Sequence, residues 1–297
     1  MANRHFARLA DMWKHLVLVE VLSIERPSRY WESHAGSATY EMVDDPERSY
    51  GVRRFLKVAP RFPALARSRY LAHLSSMSHS AGQLTSYPGS PMLAALELGS
   101  ECSYLVCDLD PSSVTNLRAA AVQLGLASRV QVLDTDGMTA LHQALLSLEQ
   151  DGSTTVAHID PYDPRAVGPS GLSALDLARE LIARRVGLVY WYGYDRPGRR
   201  AWAFDELSEG AHDPTIWCGD VMVTAPGAEP VDGDLGVATT PGTGFGIVCA
   251  NLSINAIHAC QQLGEELTAA YDDVPLPDGR LGHLEFTTQT STPPDHP

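Results

Sequence analysis

Nowhere in these 297 residues do about 18 apolar side chains run together, so the sequence offers no membrane-spanning helix. The first residues, Met1 to Asp11, are polar and charged and lack the apolar stretch of a secretory signal, which makes a cytoplasmic protein the expectation. Cysteine is scarce: Cys102, Cys107, Cys218, Cys249 and Cys260 are odd in number, without C-x-x-C spacing or clustered histidine partners. That argues against disulfides and zinc and reads as reduced, buried thiols. No Gly-x-Ser-x-Gly elbow and no Walker-type loop occurs, so hydrolase and nucleotide-triphosphatase readings lose ground. Positive charge is short as well. Lys plus Arg number 22 against 36 Asp plus Glu, a formal net charge of −14 that repels phosphate backbones unless cations gather locally. Arg53, Arg54, Lys57, Arg61, Arg67 and Arg69 do gather, either as a basic cleft or, the preferred reading, as a solvated helical face.

What is present is an ordinary globular composition, 44% hydrophobic and 20% charged, in a length that suits one large α/β domain with an insertion or two small domains. Apolar residues at helical spacing from Leu9 to Ile24 predict one amphipathic helix over 8–26, ended by Pro27. Arg29 to Ser33 is a short strand candidate running into a Gly36 turn. Residues 44–86 change character, with Pro46, Pro60 and Pro63 among many Arg and Tyr residues, and predict a helical insertion. Tyr87-Pro88-Gly89-Ser90-Pro91 is turn chemistry opening a helix, with Ser90 at the capping position. Strand and helix then alternate: 103–108 with 111–126, 130–133 with 137–149, 155–159 with 172–185, then 187–192. This predicts a parallel, doubly wound sheet. Asp220–Thr224 and 246–252 read as an antiparallel pair finishing the sheet, with a helix near 255–270. The polar, Pro-rich segment 275–297 reads as a loose tail. The expected organisation is 1–43 and 87–274 as one cofactor-binding domain, 44–86 as the insertion and 275–297 as a flexible tail.

The chemistry-bearing residues sit where these strands end. Small side chains around Gly36 let backbone amides approach a ligand, and His34 beside it can bond that ligand or cap the turn. Asp108 ends a strand where a carboxylate can accept both ribose hydroxyls of a nucleoside, whereas Asp110 suits the helix cap before Pro111. Asp134 and Asp136 repeat the arrangement one strand further, with one of the two expected to reach the adenine amino group. Asp160-Pro161-Tyr162-Asp163 follows a buried run: the carboxylate is an acceptor for an amine, and Pro161 stiffens the turn and removes a donor. An early small-residue turn paired with such a tetrapeptide is the pattern of an enzyme holding S-adenosylmethionine over an amine. Tyr190, Trp191 and Tyr192 end the next strand, with Trp191 facing away from the other two.

With these residues in hand, the chain resembles the RlmJ family, methyltransferases that modify an adenine N6 in large-subunit ribosomal RNA. The matching segments, in the family's order, are Ala10 to His15, Ser33-His34-Ala35-Gly36, Tyr87 to Pro91, Asp108, Asp136-Gly137, Asp160-Pro161 and Gly244 to Val248. The resemblance implies a Rossmann-like class I methyltransferase sheet with an antiparallel final strand and a small helical insertion. It also implies cofactor contacts by His15, His34, Gly36, Ser90, Asp108, Asp136 and Asp160, with Asp160 holding the target amine. The departures fall on the substrate side. The family tetrapeptide is Asp-Pro-Pro-Tyr, whose final aromatic stacks on a flipped base, and here that position is Asp163. Ala7-Arg8-Leu9 replaces a small and polar start.

The expectation is therefore an S-adenosylmethionine-dependent N-methyltransferase without a metal or a membrane partner. Asp160, Pro161, Tyr162 and Asp163 would form the catalytic turn, Tyr162 shaping the pocket and Asp163 pairing with a cationic group. A small-molecule amine or nucleoside-like acceptor, as in natural-product biosynthesis, is preferred on the departures and the charge. Ribosomal RNA adenine methylation is the alternative, and a non-catalytic nucleoside-binding protein the third reading.

Overall fold

The structure, a computed structural model, describes residues 6–78, 84–148, 152–209, 215–225, 239–272 and 274–291. Helix α1 (Leu9–Glu25) buries Leu9, Met12, Trp13, Leu16 and Val17, as its periodicity requires. Asp11, in its first turn, accepts the Arg8 N–H, and Arg26 closes it in the left-handed region at φ 45°, directly before Pro27. Strands β1 (Arg29–Glu32) and β2 (Thr39–Glu41) follow. Prolines then break the chain into short pieces: α2 (Pro46–Arg48), a π turn at Ser49–Arg53, α3 (Arg54–Val58), α4 (Pro63–Arg67) and α5 (Arg69–Met77). Strand β3 (Ser86–Pro88) returns antiparallel to β2, so these helical pieces leave and rejoin the body at one two-stranded ribbon. They pack on α1 and on the last long helix, whose Glu266 accepts the Ala64 and Leu65 amides at the start of α4.

From α6 (Ser90–Leu98) the chain alternates: β4 (Ser103–Asp108), α7 (Pro111–Gln123), β5 (Val130–Asp134), α8 (Gly137–Leu146), β6 (Thr155–Ile159), α9 (Ala174–Ala183) and β7 (Gly187–Tyr194). It ends with α10 (Trp202–Ser208), β8 (Ile216–Thr224), β9 (Gly244–Ala250), α11 (Ile254–Ala270), β10 (Val274–Pro275) and β11 (Leu281–Ser291). Among the described residues nine strands form one sheet in the order β10-β11-β8-β9-β7-β6-β1-β4-β5. Strands β5, β4, β1, β6 and β7 are mutually parallel, and β9, β8 and β11 continue antiparallel, the α/β sheet with an antiparallel end that the sequence predicts. Two apolar layers sandwich it: α1, α5, α6, α7 and α11 on one face, α8, α9 and α10 on the other. All five cysteines are free and buried. No described helix is long and apolar enough to cross a membrane.

Two expectations need correction. Ser90 is not the cap of α6: Gly89 occupies that position without a side-chain cap, and the Ser90 hydroxyl instead donates to Glu32. The segment from 275 is not a loose tail as far as it is described, because β11 pairs with β8 from His283 to Ser291 and with β10 at Leu281 and Gly282. Its Thr-rich composition looks polar, yet Thr is β-branched and suits a strand with one solvated face, while Leu284 is buried and Phe286 packs edge-on to Trp13 at 5.4 Å. Residues 292–297, most of the Pro/Gly-rich stretch between β8 and β9, the end of the 137–149 helix and part of 73–86 lie outside the described residues.

Candidate active site

The parallel strands all end at one edge of the sheet, and the register sets their last residues side by side. Glu32 of β1 lies between Val106 and His158, and Asp108 of β4 lies opposite Asp134 of β5. Just past β1 the chain turns at Gly36, with φ +61° and no room for a side chain, since a Cβ would meet Tyr40 Oη at 2.3 Å. Its amide donates to Asp108 Oδ2 at 2.7 Å and the preceding Ala35 amide to the Cys107 carbonyl at 2.9 Å. Asp108 Oδ1 takes the Asp110 amide at 2.8 Å, while Asp110 caps α7 through the Ser112 amide at 2.9 Å. Asp136 caps α8, accepting from the Thr139 amide and hydroxyl through Oδ2, and Gly137 behind it is pressed against the Ser33 carbonyl. Asp134, by contrast, is exposed.

His34 stands among these groups. Burial lowers its pKa, and the opposing pull of Asp160, Asp108, Asp136 and Glu32 places four carboxylates around one neutral imidazole. Asp160 itself is held by α1: Lys14 Nζ donates to its Oδ2 at 2.6 Å and lies 3.1 Å from Asp11 Oδ1. Burial works against both partners' charges, but mutual attraction outweighs it, so the Asp160 carboxyl sits below the usual range and the Lys14 ammonium above its own. Asp11 is pushed up, by burial first, with Lys14 only partly compensating.

Below the edge lies a shielded polar layer. Glu32, 0% exposed, accepts from Tyr30 Oη at 2.8 Å and from Ser90, with His158 Nδ1 2.9 Å away. His158 Nε2, Tyr190 Oη and Trp191 Nε1 are shielded from water and have no hydrogen-bond partner among the described residues; His158 lies two residues before Asp160 and Trp191 stands beside it on β7, whereas Tyr190 faces the α8 and α9 layer.

The structure thus brings His34, Gly36, Asp108, Asp136 and Asp160 to one edge. It sets Ser90 and His15 beneath it. His15 is buried against Tyr87, with Nδ1 2.7 Å from its hydroxyl, and burial holds it neutral; its motif membership reflects packing with Tyr87 and Tyr70 rather than an open ligand wall. Of the catalytic turn, Pro161 is buried, but Tyr162 is 89% exposed and shapes no enclosed pocket. Asp163 is also exposed, its Oδ1 taking the Arg165 amide as an ordinary turn residue does. Asp11 and Lys14 fall within the matching segment Ala10 to His15, but sequence reasoning gave no role to either of them, nor to Glu32 or His158. The available signal was a lysine inside an otherwise apolar helix and a glutamate at the end of a buried strand, residue types that stay buried only when partnered. Among the described residues no group of three or more His, Cys, Asp or Glu side chains is arranged to hold a metal ion.

Carboxylates stand at the ends of two adjacent strands of this edge, Asp108 on β4 and Asp134 on β5, the placement suited to accepting the hydroxyls of a nucleoside. The family model described as ribosomal RNA large subunit methyltransferase D, RlmJ, matches residues 25–166, a span running from the end of α1 through Asp160. Ribosomal RNA large subunit methyltransferase J of Escherichia coli strain K12 is 28% identical over 160 residues, covering 50% of this chain and 54% of that protein. The chain therefore aligns with about half the length of this curated relative. Protein LPL1258 of Legionella pneumophila superposes with a TM-score of 0.70 at 18% identity, covering 97% of this chain and 99% of that one, which extends the shared fold over the antiparallel end. Over residues 25–166, from the end of α1 through Asp160, the sequence resembles the RlmJ family of ribosomal RNA methyltransferases.

Proposed function

We propose that this protein is an S-adenosylmethionine-dependent N-methyltransferase whose acceptor is an exocyclic amine of a nucleobase in RNA. The observation that carries it is Asp160: a carboxylate kept ionised by Lys14 at the end of β6, on the same edge as the Gly36 turn, Asp108 and Asp136. In this reading the Gly36 turn and His34 hold the methionine end of the cofactor, Asp108 the ribose and Asp136 the adenine, the last two each keeping lone pairs beyond the hydrogen bonds described above. The bound cofactor supplies an electrophilic methyl on a sulfonium.

The chain's own residues then orient and discriminate. Asp160 accepts an N–H of the acceptor, which turns the nitrogen lone pair toward the methyl and fixes the line of attack. Because Lys14 keeps the Asp160 carboxyl below its usual pKa, Asp160 works as a hydrogen-bond acceptor rather than as the store for the proton shed after transfer. Pro161, buried and without an N–H, leaves that acceptor uncontested.

The names of the matched family and relative support an RNA acceptor. The second reading, a small-molecule amine, is favoured by charge: the chain is −14 overall, and of the six clustered cations Arg53 pairs with Asp44, Arg69 with Glu97, and Arg54 lies over the Tyr271 ring. Lys57, Arg61 and Arg67 stay exposed. The deciding experiment supplies radiolabelled-methyl cofactor with deproteinised large-subunit ribosomal RNA in one arm and a cellular small-molecule fraction in the other. Label in RNA is expected, and Asp160→Asn should bind cofactor normally yet transfer at least about 10²-fold more slowly. Label only in the small-molecule arm would establish the second reading. No heat on titrating the cofactor would reject methyl transfer altogether and leave a non-catalytic role.

A further inference from the structure

We propose that Trp191 is the platform on which a planar acceptor ring stacks, an inference that rests on the methyl-transfer reading above. Tyr190 of β7 pairs with Ile159 of β6, so Trp191 stands beside Asp160 on the next strand. Alternation sends Tyr190 and Tyr192 into the layer with α8 and α9, and Trp191 to the α1 side, where Asp160 meets Lys14. There the Lys14 ammonium lies 5.8 Å from the centre of the Trp191 ring and 2.6 Å from Asp160 Oδ2. One side chain therefore fixes both the indole and the carboxylate.

Its neighbours on β7 are closed off, Tyr190 at 0% and Tyr192 at 1% exposure, while Trp191 is only partly buried. The indole N–H also finds no acceptor among the described residues, unlike those of Trp13 and Trp202, which bond the Gly219 and Gly193 carbonyls. Trp217 shares the missing acceptor but not the exposure. Trp191 thus packs against the core while keeping part of its surface open. Tyr162, the aromatic nearest Asp160 in sequence, projects into solvent and gives no wall. A flat nitrogen heterocycle lying on the indole would put its exocyclic amine within reach of Asp160, whereas an aliphatic amine would gain nothing from the ring.

The test compares wild type, Trp191→Ala and Trp191→Phe with deproteinised large-subunit ribosomal RNA and, separately, adenosine as acceptors, alongside calorimetric titration of the cofactor. Trp191→Ala should raise the acceptor KM roughly 10- to 100-fold, the worth of one base-aromatic stack, with cofactor affinity unchanged. Trp191→Phe should restore most of it. An unchanged KM in the alanine variant, or a phenylalanine variant as impaired as the alanine one, would overturn the platform role. Wild-type protein that neither binds cofactor nor transfers methyl would instead bring down the reading beneath it, which the calorimetric arm detects independently.

Discussion

At the scale of single residues, charge balance around Asp160 depends on Lys14. Asp160 has a folded pKa below its ordinary value, so its stabilising contribution is complete above about pH 4 and is lost as pH falls through the folded value. Lys14 has a raised one, so its contribution is complete below about pH 10 and fades only as pH rises past the folded value. Both are in place near neutrality. Replacing Lys14 with Met removes the largest of the attractions that oppose burial at Asp160, leaving only the weaker pull of His158 and His34. The acid limb of the pH–rate profile should then move to higher pH, and urea unfolding should show a loss of about 3 kcal/mol; an acid limb that stays put would show that Lys14 does not set the Asp160 charge. The strand-end carboxylates were legible in the sequence because a strand followed by a turn announces where its last side chain points. Lys14, Glu32 and His158 were not, because their partners stand on other elements: Glu32 and His158 are adjacent only through the β1–β6 pairing. Tyr162 misled for a related reason, since a turn fixes the backbone and leaves open whether the side chain faces the site or water.

At the scale of elements, alternating strand and helix periods gave away the parallel half of the sheet, and Pro46, Pro60 and Pro63 explain the broken helices before β3. Close approaches between elements were invisible. Helix α8 starts so near the end of β1 that a Cβ on Gly137 would lie 1.8 Å from the Ser33 carbonyl oxygen, a backbone atom with no rotamer to give way. Gly137→Ala should therefore cost about 2–3 kcal/mol in chemical unfolding and weaken cofactor binding, because the Ser33–Gly36 turn must shift to admit it. The strand β11 escaped notice since only the two-residue strand β10 lies beyond it, which leaves most of its side chains solvated. Phe286 nonetheless covers Gly264 of α11 and meets Trp13, so Phe286→Ala should destabilise by about 2 kcal/mol, somewhat less than a fully enclosed ring, as read by thermal unfolding. Unchanged unfolding would mean that β11 is a passenger on the sheet.

At the scale of the whole molecule, an acidic body has to meet a polyanion if RNA is the acceptor, and the exposed cations on α3, α4 and the turn between them are Lys57, Arg61 and Arg67. If these three carry phosphate contacts, the logarithm of the acceptor KM should rise against the logarithm of salt with a slope near 2, from about 0.7 per contact on a single strand. Charge reversal at all three should flatten that dependence while leaving cofactor affinity alone; a flat profile in the wild type would favour the small-molecule acceptor. The amide ties from Gly36 to Asp108 and from Ala35 to Cys107 have a further consequence. They shape the turn before any visitor arrives, so little chain entropy is left to lose on occupancy. Stopped-flow association should accordingly climb in proportion to ligand concentration and never level off, as it would if a slow ordering step had to precede capture.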